Sequence, residues 1–200
     1  MPDTLVPARM DILVRIFENN MNNSIKYRRH SMRLPGYDYS QAGVYFITLV
    51  THHRKRLFGE ILEGRMELNQ YGRIVMKAWK DLPYHYDPIH LDAFVIMPNH
   101  VHGIITIHED ECRGGSQTHP YPAEEIFDHA RLVKHGLPEI IRAFKSFSAR
   151  RINILRHTQG KAIWQRSYYD HIIRNEIEWQ KIWDYIQINP DRWERDRFFQ

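Results

Sequence analysis

The stretch His90-Leu91-Asp92-Ala93-Phe94-Val95-Ile96-Met97-Pro98-Asn99-His100-Val101-His102-Gly103-Ile104-Ile105-Thr106-Ile107-His108 decides the fold. Both halves are rich in β-branched, aromatic and aliphatic residues, and a Met-Pro-Asn turn signal divides them. It reads as a hairpin of two strands, 90–97 and 100–108. Residues two apart on a strand share a face. His100 and His102 therefore project together, while Val101, Gly103, Ile105 and Ile107 take the other face, which suits a core.

The flanking sequence supplies the partners of this hairpin. Gly43 to Thr51, with Val44, Tyr45, Phe46, Ile47, Thr48, Leu49 and Val50, reads as another strand. Leu68 to Leu82 reads as a helix with Ile74, Val75, Ala78, Trp79 and Leu82 on one stripe, closed by Pro83. Leu137 to Leu155 is a second helix, with Ile140, Ile141, Phe144, Ile152 and Leu155 facing inward. A further strand lies near 162–165 or near 171–173. The last helix runs from about Glu176 to Ile188 on a stripe of Trp179, Ile182, Trp183 and Ile186. Asn175 is placed to cap it, with Glu178 three residues on in a capping-box pattern. This order predicts an α+β fold, an antiparallel sheet with helices packed on one face.

Residues 1–25 read as an N-terminal appendage, in which Ile12, Leu13, Ile16 and Phe17 have helical spacing. Residues 26–200 read as one domain. A polar, Gly- and Pro-containing connector at about 109–136 interrupts it, with room for a short helix near 124–132. The chain has 200 residues, 42% of them hydrophobic, enough for a core. A net charge of +4 permits a nucleic-acid partner. Cys112 is the single cysteine, so no intrachain disulfide forms and a reducing compartment is expected. No apolar run approaches a membrane span, and Met1 to Arg9 lack the apolar core of a signal peptide. The expectation is a cytoplasmic protein with no membrane partner.

Two features carry chemistry. A histidine pair projecting from a rigid strand is half of a metal site. The chain holds 13 histidines, so the spacing alone equally allows a pair that binds nothing. Tyr185 and Asn189 are four apart and share a helix face, with Tyr185 at the edge of the apolar stripe and Asn189 before Pro190. The plain alternative is a packed tyrosine and a helix-ending asparagine.

Taken together, several segments resemble a known family. Asp92 to Ile105 resembles the strand-turn-strand of the REP-associated tyrosine transposases. These are HUH endonucleases, named for two histidines around a hydrophobic residue, here Val101. Trp164 to Arg174 resembles the segment before that family's catalytic helix, and Asp184-Tyr185-Ile186 through Asn189-Pro190 resembles the helix itself. Arg33 to Ser40 is similar to its beginning and Ile140 to Ser148 to its central helix. The likeness runs from about Arg28 to Asp191. It implies a ferredoxin-like, RRM-like HUH fold with His100 and His102 as metal ligands and Tyr185 as nucleophile. It also implies Asn189 as a further ligand, where related insertion-sequence transposases often carry glutamine. Tyr168 and Tyr169 are rivals of Tyr185 by residue type. The implied cofactor is Mg²⁺ or Mn²⁺. The implied activity is cleavage and strand transfer of single-stranded DNA through a covalent 5′-phosphotyrosine at hairpin-forming repeat elements, by a monomer or homodimer.

The charge pattern agrees with a DNA partner. Between residues 131 and 176 stand ten Lys or Arg against three Asp or Glu. Arg142, Lys145, Asn153 and Arg156 are spaced to form a polar stripe able to track phosphates, with Arg150, Arg166 and Arg174 adding charge. Tyr168 and Tyr169 could stack on unpaired bases. Arg28, Arg29 and Arg33 lie in a basic segment, 26–33, that could also grip DNA. Other readings are a related HUH nuclease acting as replication initiator or relaxase, and a non-catalytic nucleic-acid-binding module. A zinc hydrolase needs a third ligand in register that is not evident. A two-histidine phosphoesterase needs His-x-Thr/Ser motifs, which neither histidine starts.

Overall fold

The computed structural model describes residues 36–87, 89–108 and 135–199. The appendage at 1–25, with its helical spacing, and nearly all of the connector, with its helix near 124–132, lie outside the described residues, as do Arg28, Arg29, Arg33 and Cys112.

The elements are β1 (Gly43–Val50), β2 (Gly59–Leu62), β3 (Arg65–Leu68), α1 (Gln70–Lys80), β4 (Ile89–Met97), β5 (His100–Ile107), α2 (Leu137–Leu155), β6 (Tyr169–Ile173) and α3 (Glu176–Ile188). A 3-10 turn, Pro190–Arg195, follows α3. The main sheet has the order β4-β5-β1-β6, and every pair in it is antiparallel. With α1 between β1 and β4, and α2 between β5 and β6, this is the split βαβ arrangement of a ferredoxin-like fold. The expected α+β class is the observed one. Among the described residues no helix is long and apolar enough to cross a membrane.

Strand alternation divides the sheet into two faces. Tyr45, Ile47 and Leu49 of β1, with Val101 and Ile105 of β5, are buried against Val75, Ala78 and Trp79 of α1 and Ile140, Ile141 and Phe144 of α2. The opposite face holds Phe46, Ala93, Ile104 and Ile173, and these are covered by Ile182 and Ile186 of α3. One refinement follows. The first two helices share a face as expected, whereas α3 lies on the other one. A helical stripe announces burial but not against which side of a sheet, and here the second side is apolar enough to receive it.

Local chemistry explains the ends of the helices. The Asn69 side chain accepts from Tyr71 N and Gly72 N and starts α1. Asn175 caps α3 through Glu178 N at 2.9 Å. The Glu178 carboxylate does not close the expected box on the cap residue. It accepts from Arg174 N at 2.9 Å and pairs with His171 Nε2 at 2.7 Å. The β2–β3 hairpin has a weak sequence signal, because Gly59–Leu62 and Arg65–Leu68 are four-residue strands that alternate half-buried and exposed residues. Of the two places proposed for a last strand, the second holds β6, and the first contributes a single bridge between Thr51 and Trp164.

Gly103 is required where it stands. Trp79 of α1 stacks on Phe94 with ring centroids 4.2 Å apart, and both crowd the Gly103 position. A Cβ there would meet Trp79 Cη2 at 2.6 Å and Phe94 Cδ2 at 3.0 Å. Gly103→Ala is therefore expected to destabilise the fold by about 1–3 kcal/mol, as overpacking does. Urea unfolding measures this, and an unchanged midpoint would contradict the packing described.

Candidate metal and tyrosine site

The histidine pair sits at the turn end of β5, on the α3 face. In the ladder His102 lies opposite Thr48 and His100 opposite Val50. Both rings are buried, at 2% and 0% exposure. His102 Nδ1 is 2.8 Å from Thr48 Oγ1. His100 Nδ1 is 2.9 Å from Asn99 Oδ1. The Asn99 amide is held by its other end, Nδ2 donating to Phe198 O at 2.7 Å and to Arg54 O at 3.2 Å. An amide oxygen only accepts, so His100 carries its proton on Nδ1 and presents a bare Nε2. That Nε2 faces His102 Nε2 at 3.1 Å.

Electrostatics keep both rings neutral. Burial drives His100 well below the ordinary histidine range, with His102 and Arg197 adding to the effect. Burial, then Arg197, lowers His102 to about 3. Neutral imidazole is the form that ligates metals.

Two further groups converge on the pair, and Asn189 follows one of them on the same helix. The Tyr185 hydroxyl is 3.3 Å from His102 Nε2, and its ring meets that of His102 with centroids 5.2 Å apart. Asp196 Oδ2 approaches His100 Nε2 to 3.9 Å, and the ligand atoms of His100, His102 and Asp196 lie within 4.8 Å of one another. Asn189 is 3% exposed, one helical turn beyond Tyr185, and its Oδ1 is buried with no hydrogen-bond partner.

The donor set suits a divalent ion. Two nitrogens bound at right angles to one ion at about 2.1 Å stand roughly 3 Å apart, close to the spacing of the two Nε2 atoms. Both far ring nitrogens are engaged by oxygens, the outer-sphere pattern that orients a ligating histidine. Mixed nitrogen and oxygen donors fit Mn²⁺, or Mg²⁺. His100 and His102, with Asn189 or Asp196, could hold the ion.

The rival tyrosines differ in their settings. Tyr169 is on the α3 face, but burial pushes its hydroxyl up to about 12, with Asp170 adding and Arg197 opposing. Tyr168 packs toward the α1 and α2 side and lines a groove of about 770 Å³ along α2, together with Arg142, Lys161, Trp164 and Arg166.

The stripe expected on α2 is broken, which is a correction. Asn153 is buried at 6% exposure, donates to Lys161 O and accepts from Thr158 Oγ1, so it closes the loop after α2 instead of facing DNA. Lys145 donates to Gln165 O at 2.6 Å and Arg166 O at 2.9 Å, and burial lowers it to about 8. Arg156 lies over the Tyr71 ring at 5.8 Å. Arg142 is exposed and 3.6 Å from Glu139, and Arg150, Arg166 and Arg174 are exposed. Helical spacing places residues on a face but does not reveal a loop folding back over it.

Thr48, Asn99 and Asp196 were not singled out from sequence. Thr48 is the one threonine in the largely apolar run Val44 to Val50, a weak signal that only its partner explains. Asn99 read as a turn residue. Asp196 reaches the pair from the far end of the chain, with no local signal.

A ferredoxin-like sheet carrying a buried histidine pair faced by the helix-borne Tyr185 defines the class of this α+β protein. No family model matches the chain. An uncharacterized protein of Haemophilus influenzae is 36% identical over 182 residues, covering 89% of this chain and 96% of that one. A REP-associated tyrosine transposase of Escherichia coli K12 is 24% identical over 166 residues, 82% of this chain and 72% of the relative. A second Haemophilus influenzae protein, provisionally assigned to the same group, is 25% identical over 153 residues, 76% and 73%. Among solved structures, a REP-associated tyrosine transposase bound to a REP hairpin aligns with a TM-score of 0.52 at 21% identity, covering 84% of this chain and 73% of that one. At that identity the likeness is one of fold. The chain is thus similar in sequence to REP-associated tyrosine transposases over three quarters or more of its length.

Proposed function

We propose that the protein cleaves single-stranded DNA beside hairpin-forming repeats and transfers strands through Tyr185. The observation that carries this is the Tyr185 hydroxyl 3.3 Å from His102 Nε2, itself 3.1 Å from His100 Nε2. The hairpin DNA partner is carried over from a structural relative solved on a REP hairpin, and the single-stranded flank is part of the same proposal.

His100 and His102, with Asn189 as third donor, would hold a divalent ion, which when bound polarises a non-bridging phosphate oxygen and orients the scissile group. Tyr185 Oη attacks phosphorus. A Tyr185 O–P bond forms and the P–O3′ bond breaks. The phenol loses its proton and the departing 3′ oxygen gains one, so the step is proton-neutral. The DNA is left on the enzyme through its 5′ phosphate, and attack by another 3′ hydroxyl reverses the step and joins strands. No nucleotide is consumed.

The face on which an RNA-recognition module stacks bases is covered here by α3, which supports the nuclease reading over a passive binding module. Incubation of the protein with a library of tailed single-stranded hairpins and Mn²⁺ tests it. Covalent protein–DNA adducts are expected, and their absence across the library would end the proposal.

The third ligand is separately testable. Asn189→Ala is expected to weaken Mn²⁺ binding about tenfold, measured by electron paramagnetic resonance of free Mn²⁺. If Asp196→Asn does so and Asn189→Ala does not, the third donor belongs to the C-terminal segment.

A further inference from the structure

The groove along α2 and the histidine pair lie on opposite faces of the sheet, so a strand held by one must round an edge to reach the other. The nearest border is the end of the sheet at the C-terminus of the interior strand β1. There Gln165 N donates to Val50 O at 2.9 Å and His52 N to Ile163 O at 2.7 Å. This stitching sets the turn His52–Arg54 against Gln165 and Arg166, and the five residues line an open pocket of about 480 Å³. Arg166 lines both this pocket and the groove. Lys145 holds the same loop in place through the carbonyls of Gln165 and Arg166.

The other side of the pocket leads to the histidines. The Arg54 guanidinium lies 5.6 Å from the Phe198 ring, and that ring meets His100 with centroids 4.6 Å apart. Arg54 O accepts from the Asn99 amide that orients His100. His53 and Arg54 both adopt left-handed backbone, at φ 58° and 53°. Side chains with a Cβ disfavour that conformation, and two in succession mark a turn whose shape is imposed by its surroundings.

The lining has guanidinium, imidazole and amide donors and no carboxylate. Two adjacent histidines could suggest a cation, but Arg54 and Arg166 in the same wall repel one. A guanidinium matches a phosphate with two parallel hydrogen bonds. We infer that His52–Arg54 and Gln165–Arg166 form a backbone-phosphate subsite, which seats one phosphate of a DNA strand passing from the α2 groove to Tyr185. The inference rests on the strand-transfer reading above and adds the route the strand takes.

The test uses the full chain and a tailed hairpin oligonucleotide that the protein binds, with one neutral methylphosphonate walked along the single-stranded tail. Binding is read by fluorescence anisotropy at several salt concentrations, with His53→Ala and Arg54→Ala as variants. His53 is exposed, so its variant keeps the test valid if Arg54→Ala unfolds. One tail position is expected to lose about tenfold in affinity when neutralised. Each variant should lose a similar factor for every tail sequence, flatten the salt slope by about 0.7, and become insensitive to neutralisation at that position. Variant and methylphosphonate losses that simply multiply at every position, or unchanged affinity in both variants, would overturn the subsite. Adduct formation with no such coupling removes the subsite and leaves the chemistry. Coupling without adducts removes the chemistry and leaves the subsite. A protein that binds no tailed hairpin overturns both.

Discussion

Tyr185→Phe is expected to abolish the covalent DNA adduct while leaving the fold and DNA binding nearly intact. The substitution keeps the ring in its contacts with Phe46 and His102, at centroid distances of 6.2 and 5.2 Å, and deletes only the oxygen. Loss of one half-buried hydroxyl costs about 1 kcal/mol, too little to unfold a domain. Without that oxygen the nucleophile of the proposed reaction is gone. Tyr168→Phe and Tyr169→Phe should retain adduct formation. Tyr168 lines the groove on the far side of the sheet, and the Tyr169 hydroxyl is pushed up to about 12 and resists ionisation. Peptide mapping of the trapped adduct checks this directly, since the DNA should be attached to the peptide containing Tyr185. Attachment at Tyr168 or Tyr169, or full activity in Tyr185→Phe, would overturn the assignment of α3 as the catalytic helix.

The second large effect concerns the histidines. His100→Ala and His102→Ala should each lower cleavage by on the order of 10²–10³ or more, the scale on which loss of one group stabilising developing charge is felt. Affinity for a tailed hairpin should change by no more than about threefold, because binding rests mainly on basic contacts to phosphates. The two variants should differ in stability. His100→Ala strands the Asn99 Oδ1, which is buried and held in place by Phe198 O and Arg54 O at the other end of the amide, at a cost of about 1–3 kcal/mol. His102→Ala leaves the Thr48 hydroxyl, which can rotate to another partner. Cleavage and anisotropy measured on the same preparations, with circular dichroism as a check on folding, separate these effects. Equal loss of binding and cleavage in both variants would assign the pair a structural role.

The geometry of this pair shows how chemistry and packing share one strand. Odd positions of β5 enter the core against α1 and α2, and even positions face α3. Gly103, between His102 and Ile104, lets the Trp79–Phe94 stack press against β5. The strand that carries the histidines is thus clamped from behind, and their rings are steered from the side by Thr48 and Asn99. A site that must hold two ring nitrogens 3.1 Å apart needs such support, because side chains left to their own rotamers would not keep that distance.

Much of this was decided by the sequence alone, because the signals are local. Alternation over 100–107 places His100 and His102 on one face whatever the strand pairs with. A spacing of four puts Tyr185 and Asn189 together on any helix. Apolar stripes, the first closed by Pro83 and the last capped by Asn175, delimit α1, α2 and α3 to within two residues. What only the tertiary structure decided are the contacts between residues far apart in the chain. The face that α3 covers, the Thr48 hydroxyl behind His102, the approach of Asp196 to His100, and the loop of Gln165 and Arg166 folding over Lys145 join residues separated by 20 positions or more. Periodicity reports which side of an element is buried, since that depends on backbone geometry over a few residues. Which partner buries it depends on how the whole chain closes around its core.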